Sequence, residues 1–341
     1  MAAAVAERLF RTSSAENIDA DLAALWRELG RREVPIARAV MSNLVVFRDR
    51  VAAPDVSVEA LMAELPIDEV IARHPSRLIV LEHESGREEP DAPFASGVGI
   101  ATFGPESARY GVEQIVVRSA CAEASLPSIV RRLARGDLPT SVWWTEDVAA
   151  VPPLESLVTM GRQLVYDSRD WRDVRAALGV LAPFVEEHRV DLADVNWRRL
   201  GPLRRALEHS ATETGKPLAA AGARVRIAHH RDEASLAWLL AGALMAAAKR
   251  APAAAPHVEA AETGDAAVIV TIENGAERAT ITLTSAGATV ERARAGSPLV
   301  VAMPVESEGE AVAAELRLLS QDTDLHAALA ALVRLFAART S

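Results

Sequence analysis

The sequence predicts an α/β protein with two parts. The first is a mostly parallel, mixed sheet with flanking helices, and the second is an α+β unit with an antiparallel meander and helices on one face. In the first part, short apolar strands alternate with helices, an order that builds a mostly parallel sheet. In the second, two alternating strands flank Asn274-Gly275, which supplies the positive φ angles of a tight hairpin turn. Because 341 residues are long for one core, we expect domains at residues 1–215 and 223–341.

The elements of the first domain begin with a helix. Ser13 and Glu16 have the spacing of a capping box, and apolar residues then recur at the helical period from Ile18 to Leu29. The strands expected after it are at 39–47, 77–81, 98–103, 114–118, 140–144 and 163–166. The further helices expected are at 57–72, 126–135, 171–187 and 203–214. Residues 216–222 are the expected hinge between the domains.

The second domain has a different pattern. Its expected strands are at 224–228, 268–273, 278–284, 289–294 and 299–303. Its expected helices are at 234–250, 310–319 and 324–338. Residues 251–261 are rich in Ala and Pro, which predicts a flexible connection.

Composition excludes several classes of protein. The net charge of −10 disfavours binding to nucleic acid or to an anionic membrane, and the pairs Arg131-Arg132 and Arg204-Arg205 fit the wet faces of amphipathic helices. No apolar stretch reaches the roughly 18–20 residues that span a bilayer. The first ten residues lack the apolar core of a signal peptide. We therefore expect a cytoplasmic protein that contacts neither nucleic acid nor membrane.

Motifs for catalysis are weak. Gly97, Gly99 and Gly104 have the wrong spacing for a dinucleotide loop, and no helix follows them. Cys121, the single cysteine, has no family-type motif around it, and a small buried residue is the simpler interpretation. His229-His230 on a strand would point to opposite faces, which disfavours a shared metal ion. We expect no catalytic residue, no cofactor and no metal ligand.

The adjacent pair Trp143-Trp144 leaves two interpretations open. On a strand, one indole faces the core and the other faces outward or lies under a helix. Both rings are then packed inside, or one contacts a partner or ligand, because exposed Trp is a frequent interface anchor.

Several segments resemble the glucose-6-phosphate dehydrogenase assembly proteins, the OpcA family. The most specific is residues 136–144, GDLPTSVWW, together with residues 74–81, HPSRLIVL. Weaker similarity occurs at 38–46 (RAVMSNLVV), 113–118 (EQIVVR), 126–128 (LPS), 164–168 (LVYDS), 191–194 (DLAD), 197–200 (WRRL), 239–242 (LLAG) and 314–322 (AELRLLSQD). One departure is residues 303–307, MPVES, where the family resemblance implies a basic tract. Any contact that uses such a tract is therefore in doubt here.

The resemblance implies a non-catalytic protein that binds glucose-6-phosphate dehydrogenase and promotes its active oligomer. The partner-contact residues it suggests are Trp143, Trp144, Arg77 and Trp197, each of which also has a purely structural interpretation. An alternative function is an enzyme or sensor that binds a sugar phosphate or nucleotide at the carboxyl ends of the parallel strands. A scaffold for some other enzyme shares every sequence feature with the first interpretation.

Overall fold

The structure is a computed structural model. It describes residues 5–32, 34–50, 64–84, 95–208, 219–220, 222–251, 254–293, 297–303, 305–318 and 320–339. Two sheets organise this part of the chain, one of nine strands and one of six. The predicted fold class is therefore confirmed.

The first sheet is built from residues before position 195. Its strands are β1 (Glu7–Ser13), β2 (Ile36–Arg38), β3 (Ser42–Asp49), β4 (Ser76–His83), β5 (Ala95–Phe103), β6 (Arg109–Ser119), β7 (Thr140–Trp144), β8 (Gln163–Tyr166) and β9 (Asp191–Asp194). The helices of this half are α1 (Ile18–Leu29), α2 (Ile67–Arg73), α3 (Leu126–Leu133), α4 (Glu155–Val158), α5 (Val174–Glu187) and α6 (Gly201–Glu208).

The second sheet follows in the chain. Its strands are β10 (Arg224–His229), β11 (His257–Ala260), β12 (Val268–Asn274), β13 (Glu277–Thr284), β14 (Gly287–Arg292) and β15 (Leu299–Ala302). The helices of this half are α7 (Ala234–Ala247), α8 (Glu308–Arg317) and α9 (Thr323–Ala338).

The first sheet is doubly wound. Its strand order is β1-β5-β6-β4-β3-β7-β8-β9, with β2 paired to β6. From β6 to β9 every neighbouring pair is parallel, and β5 runs antiparallel to both of its neighbours. Strand order therefore reverses between β3 and β7, which makes that gap the topological switch point of the sheet.

Two cores lie on the two faces of this sheet. Alternate residues of β3 separate them: Val45 and Phe47 face one core, and Leu44 and Val46 face the other. The first core is continuous with the apolar interior of the second sheet. The second core is closed by α2 together with α8, which comes from the far end of the chain.

The second sheet is a meander with one covered face. Its order is β11-β10-β12-β13-β14-β15, and β12 to β15 are joined antiparallel in chain order. The predicted hairpin is confirmed, but its turn lies one residue later than expected. Asn274 pairs with Glu277, so the loop is Gly275-Ala276, and of the two residues predicted to have positive φ only Gly275 does, at +64°. Helices α7 and α9 pack together on the apolar side of this sheet.

Two local predictions are wrong and strand β9 was missed, each because tertiary pairing decided the structure. Ser13 ends strand β1, which pairs with β5, and its hydroxyl bonds to Asp21 at 2.7 Å instead of capping a helix. Helix α1 begins later, after Asn17. Residues 251–261 contain β11, which is held by parallel pairing with β10, and β9 was not expected at all.

Some predictions lie outside the described residues. These are the helix predicted over 57–63, the helix end predicted at 209–214, and most of the predicted hinge, at 216–218 and 221. The division at 215 and 223 stays a prediction. Helix α8 of the second half packs against the first sheet, so the two halves are in contact.

Candidate functional site

Two aromatic side chains stack next to the switch point of the first sheet. Phe47 at the end of β3 stacks on Trp144 at the end of β7, with ring centroids 3.8 Å apart and planes 2° apart. The backbone N–H of Asp49 donates to Glu146 Oε1 at 3.0 Å across the same gap.

The charges next to the switch point are paired with one another. Glu82, fully buried at the end of β4, lies 2.9 Å from Arg50 Nε and accepts a hydrogen bond from Arg118 Nε at 3.0 Å. The sequence after β3, residues 50–66, contains no glycine. A dinucleotide site in a doubly wound sheet needs glycine there so that the pyrophosphate can approach the backbone. The sequence at this position therefore lacks the glycine pattern of a dinucleotide loop.

Residues of the segments that carry the family resemblance form hydrogen bonds at the amino-terminal ends of β3, β4 and β7. The Asn43 amide donates to the carbonyl of Arg135 at 3.0 Å and to Thr140 Oγ1 at 3.1 Å, and it accepts from the Arg135 N–H at 2.9 Å. His74 Nε2 lies 3.0 Å from Ser42 Oγ. These bonds fix the loops that enter β4 and β7.

Arg77 belongs to this framework. Its Nη1 donates to Glu113 Oε2 at 2.9 Å, and its Nη2 donates to Asp19 Oδ1 at 3.2 Å. Trp26 Nε1 also donates to Glu113, at 2.8 Å, and Arg38 bonds to the same carboxylate. The Arg77 side chain is thus buried inside a charge network.

The three tryptophans named by the sequence are also buried. Trp143 faces the core under α2 and α8, and Trp144 faces the opposite core, where its Nε1 donates to the Val151 carbonyl at 2.9 Å. Trp197 donates from Nε1 to Asp322 Oδ2 at 2.9 Å. The structure does not bring Trp143, Trp144, Arg77 and Trp197 together at one site, and their role as partner contacts stays a prediction.

The glycine, cysteine and histidine candidates have structural explanations. A Cβ on Gly97 or Gly99 would lie within 2.8 Å of atoms of β1, so these glycines let β1 and its Phe10 ring approach β5. Cys121 is buried, and its carbonyl oxygen lies 3.1 Å from His83 Nε2. Across the described ranges, no three His, Cys, Asp or Glu side chains are placed to hold one metal ion.

A cleft of about 820 Å³, here called the arginine cleft, lies between the two halves of the chain. Five arginines line it, namely Arg169, Arg198, Arg199, Arg204 and Arg205. Trp197 and Val195 complete its wall on the side of the first sheet, and residues on the other side include Met303, Val305, Glu306, Glu308, Glu315 and Asp322. Residues of α6 line one side of the cleft, and α8 with the segment before it lines the other.

Most charges of the arginine cleft are neutralised locally. Arg198 holds Glu306 through two bonds of 2.9 and 3.0 Å, and its Nη1 donates to Glu315 Oε1 at 2.9 Å. The bond from Glu306 raises the pKa of Arg198, while burial raises the pKa of the Glu315 carboxyl. Arg199 is bound by Glu233 from the second half. These ion pairs join the two halves of the chain.

Arg204 differs from the other four arginines. Its guanidinium carbon lies 4.3 Å from the centre of the Trp197 ring, so the group is stacked on the indole. Among the described residues, its buried Nε and Nη1 atoms have no hydrogen-bond acceptor. The sequence interpretation of Arg204-Arg205 as a solvated helix face missed this, because the stacking ring lies outside the helix, at Trp197.

The second sheet has a face that is free of charge at its centre, here called the open face. Strand register places Ala228, Ile269, Thr282, Thr289 and Val300 in one row across five strands. Thr271 and Thr280 pair in the next row, and all seven side chains are half-buried or exposed. Charges surround these positions, in the pairs Arg226–Glu259 and Arg278–Glu273 and at the exposed Glu291, which is paired with Thr280. The open face ends at β15, an edge strand of the sheet.

No helix of the described ranges is long and apolar enough to cross a membrane.

The comparisons with known proteins agree with the resemblance seen in the sequence. Residues 67–183 match the family model described as the glucose-6-phosphate dehydrogenase subunit N-terminal domain, so the predicted resemblance is confirmed for this region. No curated protein matches the chain.

Solved structures of similar fold are distant. The transcriptional regulator Gal80p from Kluyveromyces lactis is 9% identical, with a TM-score of 0.43 over 95% of each chain. UDP-N-acetylglucosamine 3-dehydrogenase GnnA from Acidithiobacillus ferrooxidans is 11% identical, with a TM-score of 0.40 over 89% of this chain and 96% of that one. A protein described as an oxidoreductase, from Magnetospirillum magnetotacticum MS-1, is 14% identical, with a TM-score of 0.38 over 87% of this chain and 99% of that one.

Proposed function

We propose that this chain, which carries a domain of the glucose-6-phosphate dehydrogenase assembly proteins at residues 67–183, binds that dehydrogenase and promotes its active oligomer without catalysis of its own. The family match is the observation that carries the proposal. In this role the chain would act in the cytoplasm and support the oxidative pentose phosphate pathway and its supply of NADPH.

The surroundings of the switch point support the non-catalytic part of the proposal. Open α/β sheets bind their ligands at this place. Here Phe47 and Trp144 stack next to it, and Glu82 nearby is already paired with Arg50 and Arg118. These contacts also count against the alternative, an enzyme or sensor that binds a sugar phosphate or nucleotide at the strand ends.

An activator works through a difference in affinity. It must bind the active oligomer of the dehydrogenase more tightly than the inactive form, and a tenfold shift between the two needs about 1.4 kcal/mol. A surface of ordinary interface size, about 800 Å² per partner, is sufficient for this.

We assign the docking surface for the dehydrogenase to the open face and its edge strand β15. Interfaces of this kind have a centre depleted of charge and a polar rim, and the open face has both features. Leu299 and Val300 on β15 are exposed, and residues 297–303 carry no charge. An uncharged apolar edge strand left in solvent favours pairing with another chain. The buried positions Trp143, Trp144, Arg77 and Trp197 would then support the fold of the docking protein and not touch the partner.

A single added charge tests this surface. Val300→Glu places a carboxylate on the edge strand of the open face and is expected to weaken binding to the cognate dehydrogenase at least tenfold, because burying an unpaired charge is costly. Binding is measured by co-elution and by titration of dehydrogenase activity. Met41→Glu is the matched control, since Met41 is 57% exposed and Val300 is 65% exposed.

The possible outcomes distinguish a wrong docking surface from a wrong function. If Val300→Glu binds as well as the wild type, the docking surface is elsewhere. If the wild-type chain neither co-elutes with the dehydrogenase nor changes its kinetics, the proposed function itself is wrong.

A further inference from the structure

We propose that the arginine cleft binds a phosphate monoester, and that Arg204 holds the phosphoryl group. This is separate from the docking of the dehydrogenase and concerns the chain alone. The inference rests on the geometry of Arg204, on the pairing of the charges around it, and on the shape of the cleft.

The Arg204 guanidinium is held by a cation–π contact and one long ion pair, with Asp324. It lies over the Trp197 ring, and Trp197 is itself fixed by its bond to Asp322. Its buried Nε and Nη1 atoms find no acceptor among the described residues. Buried polar groups nearly always have a partner, and an unbonded one costs about 1–3 kcal/mol. These two atoms are closed to solvent, but the side chain is 27% exposed, so an anion in the cleft would contact the guanidinium on its open side and offset its charge.

The surrounding carboxylates leave this position open to an anion. Glu306 and Glu315 are both bonded to Arg198. Asp322 accepts from Trp197 and from the first N–H groups of α9. Asp324 Oδ2 lies 3.9 Å from Arg204 Nη1, and its side chain is 71% exposed, so water screens it. Glu308 lines the cleft as well and interacts with Arg169.

The shape and chemistry of the cleft indicate the class of ligand. A volume of about 820 Å³ is within the range of small-molecule sites, roughly 300–1,000 Å³. A planar guanidinium that offers more than one N–H matches phosphoryl oxygens. Val195 and Met303 add apolar wall beside Arg204, which suits the carbon skeleton of an ester more than inorganic phosphate. We therefore assign the site to a sugar phosphate or a molecule of similar size.

The test measures binding to the full-length chain without the dehydrogenase. Glucose 6-phosphate, glucose and inorganic phosphate are titrated at constant ionic strength, by calorimetry and by the shift in Tm. Glucose 6-phosphate is expected to bind and to raise Tm, and glucose is not. Arg204→Gln is expected to weaken the binding of glucose 6-phosphate at least tenfold.

Two further variants are compared with Arg204→Gln, one conservative and one outside the cleft. Arg204→Lys retains the charge but loses the planar donors, so we expect an intermediate affinity. Arg231→Gln removes an arginine that is 84% exposed and lies outside the cleft, and it should bind like the wild type. The Tm of each variant without ligand shows whether it folds.

Three results would overturn the inference. They are no binding of glucose 6-phosphate to the wild type, unchanged binding to a folded Arg204→Gln variant, and equal affinity for inorganic phosphate and glucose 6-phosphate. None of these depends on whether the chain binds the dehydrogenase, so this inference and the proposed function fail independently.

Discussion

At the scale of single residues, the most perturbed carboxyl group is Asp194, at the end of β9. Its Oδ1 accepts from the N–H groups of Ser168 at 3.1 Å and Asn196 at 2.9 Å, while its Oδ2 has no hydrogen-bond partner among the described residues. Burial, and then the negative charge of Asp167, raise the pKa of this carboxyl to about 7. A group that changes charge near neutral pH therefore lies next to the junction of the two halves.

Asp194 should make stability depend on pH. The folded chain keeps this proton up to about pH 7, whereas an unfolded chain releases it near pH 4. Between these values the folded state binds more protons, so its stability falls as pH rises. Asp194→Asn keeps the acceptor oxygen and cannot ionise. We expect its Tm to fall less than that of the wild type between pH 5 and pH 8.

The control for this prediction is Asp137→Asn, which removes an exposed carboxylate. It should leave the pH dependence of Tm unchanged. If Asp194→Asn loses as much Tm as the wild type over this range, Asp194 is not the group responsible.

At the scale of elements, the contact between α7 and α9 depends on a glycine. A Cβ on Gly242 of α7 would lie 2.6 Å from the carbonyl oxygen of Ala328 and 2.8 Å from Leu332 Cγ. The first of these is backbone, which cannot move without shifting α9. Gly242 thus sets the distance between the two helices that cover the second sheet.

Two glycine substitutions distinguish the effect of packing on stability from the effect of helix propensity. Gly242→Ala should destabilise the protein by about 1–3 kcal/mol, because overpacking exceeds the gain in propensity. Gly179→Ala lies within α5 with open space around it, and should stabilise by about 0.5–1 kcal/mol. Chemical denaturation measures both. A stabilising effect of Gly242→Ala would contradict the close approach of α7 to α9.

At the scale of the whole molecule, each of the two cores contains residues from both halves of the chain. Helix α8 closes the core over Trp143, and its Glu310 forms an ion pair with Arg73 of α2. The other core continues from the first sheet into the second. The halves should therefore unfold in one cooperative transition, although they are built on separate sheets.

A leucine at the end of α8 tests this coupling. Leu316, which is 3% exposed, packs on the first sheet, and Leu316→Ala should cost about 2–5 kcal/mol. Tryptophan fluorescence and far-UV circular dichroism should still report one shared midpoint. Leu318→Ala is the control, since Leu318 is 42% exposed, and it should change stability by less than about 0.5 kcal/mol. Two separated transitions in the Leu316→Ala variant would show that the halves fold independently.

The sequence by itself determined what depends on local pattern. Alternating apolar residues and turn chemistry predicted the β12–β13 hairpin, although its turn lies one residue later than Asn274-Gly275, and strands 140–144 and 163–166 match the structure at both ends. Helix and strand periods are properties of neighbouring residues, so one sequence is sufficient to detect them. The fold class followed from the order of these elements.

Only the tertiary structure decided what depends on contacts between distant residues. Trp197 meets Asp322, and Gln163 bonds to the backbone of Glu315, across more than a hundred residues of sequence. The short strand β9 and the edge strand β1 are held by pairing with neighbours and not by a strong pattern of their own. The arginine cleft and the open face arise in the same way, because each is assembled from strands or helices that only the folded chain brings side by side.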